Sequence, residues 1–318
     1  MQREAGGDNW LIDIHQVERR YGNIAALRGV SLRLRQGTVG LVGNNGAGKS
    51  TLIKILLGIL PANAGSGTIL GCDIRQSTRD LRGRVGYMSE SGGAVPILHG
   101  VEFVALSGEL YGMPRRESLR RAHEVLYYCG LGELRYRQLE EYSAGNIQRL
   151  KLAAALVHDP ELLLLDEPTS GLDPAGRRTF LKLLEDLIEE TGKSVLLSTH
   201  LLGDIERLCE QVVVLHQGQV VRAGTMTELR NILHDRFDLR WQGPDEPFLA
   251  HLQQAGVEIV PGKLAGQATV SVPKPWSTVQ FFELARQAEV VLTGLKMEEE
   301  NLERMFFRMT EQEQPHGT

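Results

Sequence analysis

VGLVGNNGAGKST, Val39 to Thr51, is the run on which the fold turns. A short apolar strand ends in a glycine-rich loop, and a helix follows from about Lys49 to Leu57. The nine residues Gly43, Asn44, Asn45, Gly46, Ala47, Gly48, Lys49, Ser50 and Thr51 fit G-x-x-x-x-G-K-[ST] in that context. Gly43, Gly46 and Gly48 let backbone amides converge on phosphate oxygens, and the helix N-terminus adds its positive dipole end. Lys49 supplies a point charge for the β and γ phosphates, and Ser50 a hydroxyl for Mg²⁺. The loop is therefore expected to hold a nucleotide.

Farther along, LLLLDEP (Leu162 to Pro168) reads as a buried parallel strand that delivers Asp166 and Glu167 at its C-terminal end. Open α/β sheets bind ligands there. Asp166 is expected to reach Mg²⁺ through its water shell, and Glu167, pointing differently, to polarise an attacking water. Around this pair, helices at Ala144–His158, Pro174–Thr191 and Leu201–Cys209 alternate with strands at Ser194–Ser198 and Val212–Leu215. That alternation implies a parallel, mostly buried sheet. Before it, LIDIHQV and VSLRLR read as strands around a turn at Tyr21-Gly22-Asn23. Gly67 to Met88 reads as β-rich, and Val101 to Cys129 as helical.

The 318 residues imply about two domains at roughly 150 residues each. Lys plus Arg at 35 against Asp plus Glu at 40 leaves a net charge of −5, so no global basic field recruits nucleic acid. Arg115, Arg116, Arg120 and Arg121 read as a solvated helix face. Cys72, Cys129 and Cys209 lie too far apart for a zinc site or a disulfide framework, and read as small buried thiols. No apolar run reaches the ~18 residues of a membrane span, and MQREAGGDNW lacks the apolar core of a signal peptide. A membrane role would then require a partner.

With these motifs in hand, the chain closely resembles the ATP-binding subunits of ABC transporters over about Trp10 to Leu229. YGNIAALRGVSL (Tyr21 to Leu32) resembles their first strand with an adenine-stacking aromatic, here Tyr21. YSAGNIQRL (Tyr142 to Leu150) is similar to the signature motif LSGGQxQR. SGLD (Ser170 to Asp173) matches the loop after the catalytic strand, and His200 in LLSTH the switch histidine. Two motifs depart from the family. Ala144 and Asn146 replace a glycine and a glutamine of the signature, while Ser143 and Gly145 remain. Glu90 in VGYMSES stands where a glutamine is usual, as in a subset similar to daunorubicin and sodium exporters. NLERMFF (Asn301 to Phe307) follows the same subset.

The resemblance implies a P-loop α/β fold with an antiparallel β part and a helical subdomain. It implies an ATPase using ATP and Mg²⁺, with Lys49, Glu167 and His200 catalytic and Ser50, Glu90 and Asp166 on the metal. It also implies two subunits, identical or homologous, closing head to tail around two ATP molecules. Each ATP would lie between one subunit's Gly43–Thr51 and the other's Ser143, Gly145 and Asn146, with Tyr21 and Asp173 also in contact. Such a subunit would sit on the inner face of the membrane through a separate multi-span protein, most simply an exporter, with no nucleic acid involved. The competing reading is a soluble ABC ATPase that remodels other molecules; such proteins carry two cassettes or long coiled coils, whereas this sequence has one cassette and no heptad run.

Near His234 the motif-rich pattern stops, dividing the chain into a cassette at 1–235 and an accessory α+β domain at 236–318. The second part reads β-α-β-β-α-β from Phe237 to Leu295, the order of a ferredoxin-like unit. A final helix, about Glu298 to Thr310, would place Leu302, Met305, Phe306 and Met309 on one face.

Overall fold

The computed structural model describes residues 10–76, 79–90, 92, 95–228, 236–262, 264–273 and 275–297. The expected final helix lies outside them. The chain divides between Thr225 and Met226 into two compact units.

In the first unit, β3 (Thr38–Val42), β6 (Val85–Met88), β7 (Leu162–Asp166), β8 (Ser194–Thr199), β9 (Gln211–His216) and β10 (Gln219–Thr225) form one sheet in the order β10-β9-β3-β8-β7-β6. All pair in parallel except the β9–β10 hairpin. Every residue of β3 and β7 is buried. Continuous apolar runs suit strands covered on both faces, and each buried leucine of β7 contributes about 2 kcal/mol by removal from water. A second sheet, β1 (Ile12–Tyr21), β2 (Ile24–Leu34), β4 (Ala64–Ile69) and β5 (Cys72–Asp73), is antiparallel in the order β2-β1-β4-β5. It shares a core with the central sheet and with α1 (Lys49–Leu56). The expected mixed α/β fold, with its antiparallel part, is therefore the observed one.

Within the segment expected to be β-rich, Arg79–Arg84 is a short helix, α2. Six mostly charged residues are too few to display a helical period, so pattern reading passes over them. The helical stretch after Gly100 is two helices, α3 (Gly100–Leu110) and α4 (Arg115–Tyr128), parted by Gly112-Met113-Pro114. They approach closely at Gly108, where a Cβ would run into the Ser118 hydroxyl. The sequence pattern does not announce β10, a largely exposed edge strand without clean alternation. Cys129 and Cys209 are buried and Cys72 is half-buried, because β5 has only one neighbour. On α4, Arg120 and Arg121 both pair with Glu124, and Arg121 is mostly covered.

Helix α5 (Ala144–Leu156) ends against β6. Just past it, His158 stacks on Tyr111 at 3.6 Å between centroids, and its Nε2 lies 3.2 Å from the Val85 carbonyl oxygen. Burial pushes the His158 pKa down from 6.5 to about 4. The folded value lies below the unfolded one, so between those values the unfolded chain binds more protons and stability falls as pH falls. With part of the ring exposed, the expected loss from pH 7 to pH 5 is about 1–2 kcal/mol. His158→Phe, which keeps the stack without titrating, should lose correspondingly less in urea unfolding at the two pH values. Equal losses would exclude His158 as the acid-sensitive group.

The second unit carries β11 (Arg236–Gln242), β12 (Glu258–Pro261), β13 (Gln267–Ser271) and β14 (Val291–Met297) in the order β12-β13-β11-β14, all antiparallel. Helices Asp245–Gln254 and Thr278–Gln287 complete a β-α-β-β-α-β sequence. Its core brings together Phe237, Leu239, Trp241, Phe248, Val270 and Phe281. Trp241 and Phe237 sit edge-on to Phe248 and Phe281.

Candidate active site

Because β3, β8 and β7 are neighbours and parallel, their C-terminal ends open on one side. The Gly43–Thr51 loop follows β3, Glu167 follows β7 and His200 follows β8. The loop needs its glycines for space as well as conformation. A Cβ on Gly43 would strike the Leu215 carbonyl, and Gly48, the residue capping α1, has φ +106° with Ala26 O 2.6 Å from where its Cβ would stand. The β9–β10 turn braces the loop from behind: Gly218 N donates to Ala47 O at 3.0 Å, and Arg28 N of β2 donates to Gly218 O at 2.8 Å. The loop thus frames a cleft of about 350 Å³, lined by Ala26, the run Asn44–Thr51, Glu90 and Glu167.

One buried carboxylate joins the strand ends. Glu167 stands at φ +47°, a conformation a side-chain-bearing residue adopts only at a cost of about 1 kcal/mol. Its amide donates to Ser198 O at 2.9 Å, which holds the turn. Its Oε1 lies 3.2 Å from Lys49 Nζ and its Oε2 lies 2.9 Å from His200 Nδ1. The Lys49 and Glu167 side chains are each 6% exposed, whereas that of His200 is 45% exposed. Lys49 Nζ also donates to Gly43 O at 2.6 Å. Beside them, buried Asp166 accepts from the Ser198 hydroxyl. Burial first, then the charges of Asp166 and Glu90, push Tyr87 up to about 12, so it stays a neutral phenol at physiological pH. The result is a cleft lined by a cation, a carboxylate held by an imidazole, and a second carboxylate, Glu90. That set can bind a polyphosphate and activate water against it.

The sequence agrees with this geometry. The family model described as ABC transporter matches residues 27–170. The linearmycin resistance ATP-binding protein LnrL of Bacillus subtilis (strain 168) is 31% identical over 306 residues, covering 94% of this chain and 98% of that protein. The chain belongs to the ABC transporter ATP-binding proteins. Another ABC relative, the daunorubicin resistance ATP-binding protein DrrA3 of Streptomyces coeruleorubidus, is 36% identical over 252 residues, covering 78% of this chain and 79% of its own. Among solved structures, the ATP-binding cassette MJ0796, a dimer in a post-hydrolysis state bound to ADP and Pi, matches with a TM-score of 0.61 at 27% identity. That match covers 68% of this chain and 98% of the solved one. As an ABC cassette the protein is an ATPase, and its nucleotide is ATP before and ADP after hydrolysis.

Not every expected contact of this ABC cassette meets in the cleft. Ser143 caps α5 and accepts from Asn146 N at 3.3 Å, and neither they nor Gly145 line it. Asp173 caps α6 (Pro174–Thr191), accepting from Gly176 N at 2.9 Å, also away from the lining. Tyr21 ends β1 and is 42% exposed, but Arg19 lies over its ring at 4.9 Å and the ring does not line the cleft. Arg19 stands two residues before Tyr21 on β1, the spacing at which strand residues share a face. Three further participants are not among the expected site residues: Ala26 and Gln148 lie inside the family-like motifs, and Lys151 just beyond the signature. Ala26 lines the cleft from β2. From α5, Gln148 Nε2 donates to Ser170 O at 3.1 Å, and Lys151 Nζ donates to Ser89 O and Glu90 O at 3.1 and 3.0 Å.

Proposed function

We propose that this ABC ATPase energises an exporter, two cassettes closing head to tail around two ATP molecules against a separate membrane-embedded partner. The separation of Ser143, Gly145 and Asn146 from their own chain's cleft carries this reading. These donors have no phosphate to grip within one chain, and a second subunit supplies one. ATP then serves as a ligand of the closed interface, and its hydrolysis removes the contacts that hold the interface shut. Export draws support from relatives named for linearmycin and daunorubicin resistance and from Glu90. Among the described residues no helix is long and apolar enough to cross a membrane, so the reading places the transport path in the partner.

In this mechanism Lys49 leaves Glu167 for the β and γ phosphates, and the loop amides hold the remaining oxygens. Glu167, freed on one side and still held by His200, takes the proton of the attacking water. Ser50, Asp166 and Glu90 offer one hydroxyl and two carboxylates, a donor set of hard oxygens. Among the described residues no three acidic, His or Cys side chains converge on one metal point. Mg²⁺ suits such a site, because it takes one or two protein oxygens and completes its shell with phosphate and water. When bound it neutralises phosphate charge.

Mild detergent extraction of tagged protein from its native membranes should co-purify a multi-span protein that stimulates ATP turnover. Isolation free of any membrane protein, with full activity, would instead favour a soluble remodelling ATPase.

The second unit contains none of the phosphate-binding motifs. We read it as an accessory domain that keeps two cassettes near each other between closures, when the ATP-mediated contacts are gone. A chain ending at His234 should bind ATP as the full chain does, yet lose pairing or complex activity on dilution. Unchanged assembly and activity at dilute protein would reduce the unit to decoration.

A further inference from the structure

α5 links three motifs. Its first turn carries Ser143, Gly145 and Asn146. One turn farther, Gln148, itself 7% exposed, holds the Ser170 carbonyl of the loop that starts at Glu167. Another three residues on, Lys151 reaches the other side of the cleft and donates to two consecutive carbonyls, Ser89 and Glu90. Residues three apart share a helix face, so one face of this helix grips both main-chain turns that bear the cleft's carboxylates. An ammonium has three donors and no acceptor, and a charged donor to carbonyl oxygen is stronger than a neutral one.

Glu90 gives Lys151 a second task. A carboxylate at the cleft rim adds negative charge beside Asp166, Glu167 and any bound phosphate. An uncharged amide there would need no counter-charge; a carboxylate does. Lys151 is half-buried, its burial lowering its pKa and the charge of the exposed Glu90 raising it, so the ammonium feels the carboxylate as well as the two carbonyls it holds.

We propose that Lys151 is a positioning residue for Glu90: it fastens the Ser89–Glu90 main chain to the signature helix and sets the positive charge that lets a carboxylate face the nucleotide. Movement of the signature turn then moves Glu90 with it. The proposal rests on the reading of Glu90 as a group on the Mg²⁺ side of ATP. Gly43–Thr51 supplies most of the phosphate contacts, so nucleotide affinity in the absence of Mg²⁺ should feel Lys151 only through the solvent-screened repulsion of an uncompensated Glu90.

The experiment uses full-length chains and a fluorescent ATP analogue, titrated with and without Mg²⁺. Lys151→Met keeps length and removes charge. It should lower metal-free affinity by no more than about threefold, cut the gain in affinity on adding Mg²⁺ by about tenfold, and lower turnover roughly 10–100-fold. Amide exchange over Val85–Glu90 should accelerate. Lys151→Arg should restore most of the Mg²⁺ response. With Glu90→Gln in the background, Lys151→Met should cost only a small part of what it costs alone, because no carboxylate then needs the counter-charge. If Lys151→Met does not fold, Lys151→Gln carries the same readouts. An unchanged Mg²⁺ response in the charge-removing variant, or an equal loss with and without Glu90→Gln, overturns the proposal. Failure of the unaltered protein to bind Mg²⁺ with nucleotide would instead overturn the reading of Glu90 on which the proposal rests.

Discussion

Glu167→Gln should lower ATP turnover roughly 10²–10⁴-fold while ATP still binds. Glutamine preserves the size of the side chain and can keep one hydrogen bond to His200 Nδ1, now 2.9 Å from Oε2. It cannot accept a proton from water. The substitution also dissolves the ion pair at 3.2 Å between Lys49 and Glu167, so Lys49 meets phosphate without first leaving a carboxylate. Nucleotide affinity should therefore hold or rise as turnover collapses. If the chain pairs with itself, ATP should then accumulate a dimer visible by gel filtration. Single-turnover hydrolysis and equilibrium binding separate the two effects. Near-normal turnover would remove Glu167 from the role of base.

Lys49→Met should weaken nucleotide binding by about 10²-fold or more. Two effects add in the same direction. The loop loses its charge-assisted donor to phosphate. In addition, the buried Glu167 carboxylate loses its close cation and faces incoming phosphate with His200 as its remaining partner. Combining Lys49→Met with Glu167→Gln should consequently recover part of the affinity, a non-additivity expected of groups in contact. Titration of the three variants with one nucleotide decides the matter. Affinity within about threefold of normal in Lys49→Met would show that the loop amides bind phosphate without the lysine.

Residues that chemistry spaces along the chain are legible in the sequence by themselves. Gly43–Thr51 has fixed spacing because one loop must wrap one phosphate chain, and the buried run before Asp166 marks its strand by composition. The β-α-β-β-α-β order of the second unit is legible too, since strands and amphipathic helices each repeat at their own period. Other features stay hidden for physical reasons. α2 is shorter than two turns, and β10 is an edge whose outward residues follow no alternation. Gln148 and Lys151 act on main-chain carbonyls, which every residue possesses, so no residue type at the other end marks the contact.

Hairpin tips are the usual choice for grafting a tag or splitting a chain, because their backbone faces water and owes nothing to the interior. Gln217–Gly218 looks like such a tip and is not one. Its glycine, at φ +81°, is bonded on one side to Ala47 and on the other to Arg28, and Ala26 O stands 2.6 Å from any Cβ placed there. An inserted peptide at this turn would pull on the floor of the nucleotide cleft and on β2 at once. The Gly112-Met113-Pro114 connection between α3 and α4, remote in sequence from every cleft residue, is the better place to attach a reporter to this ATPase.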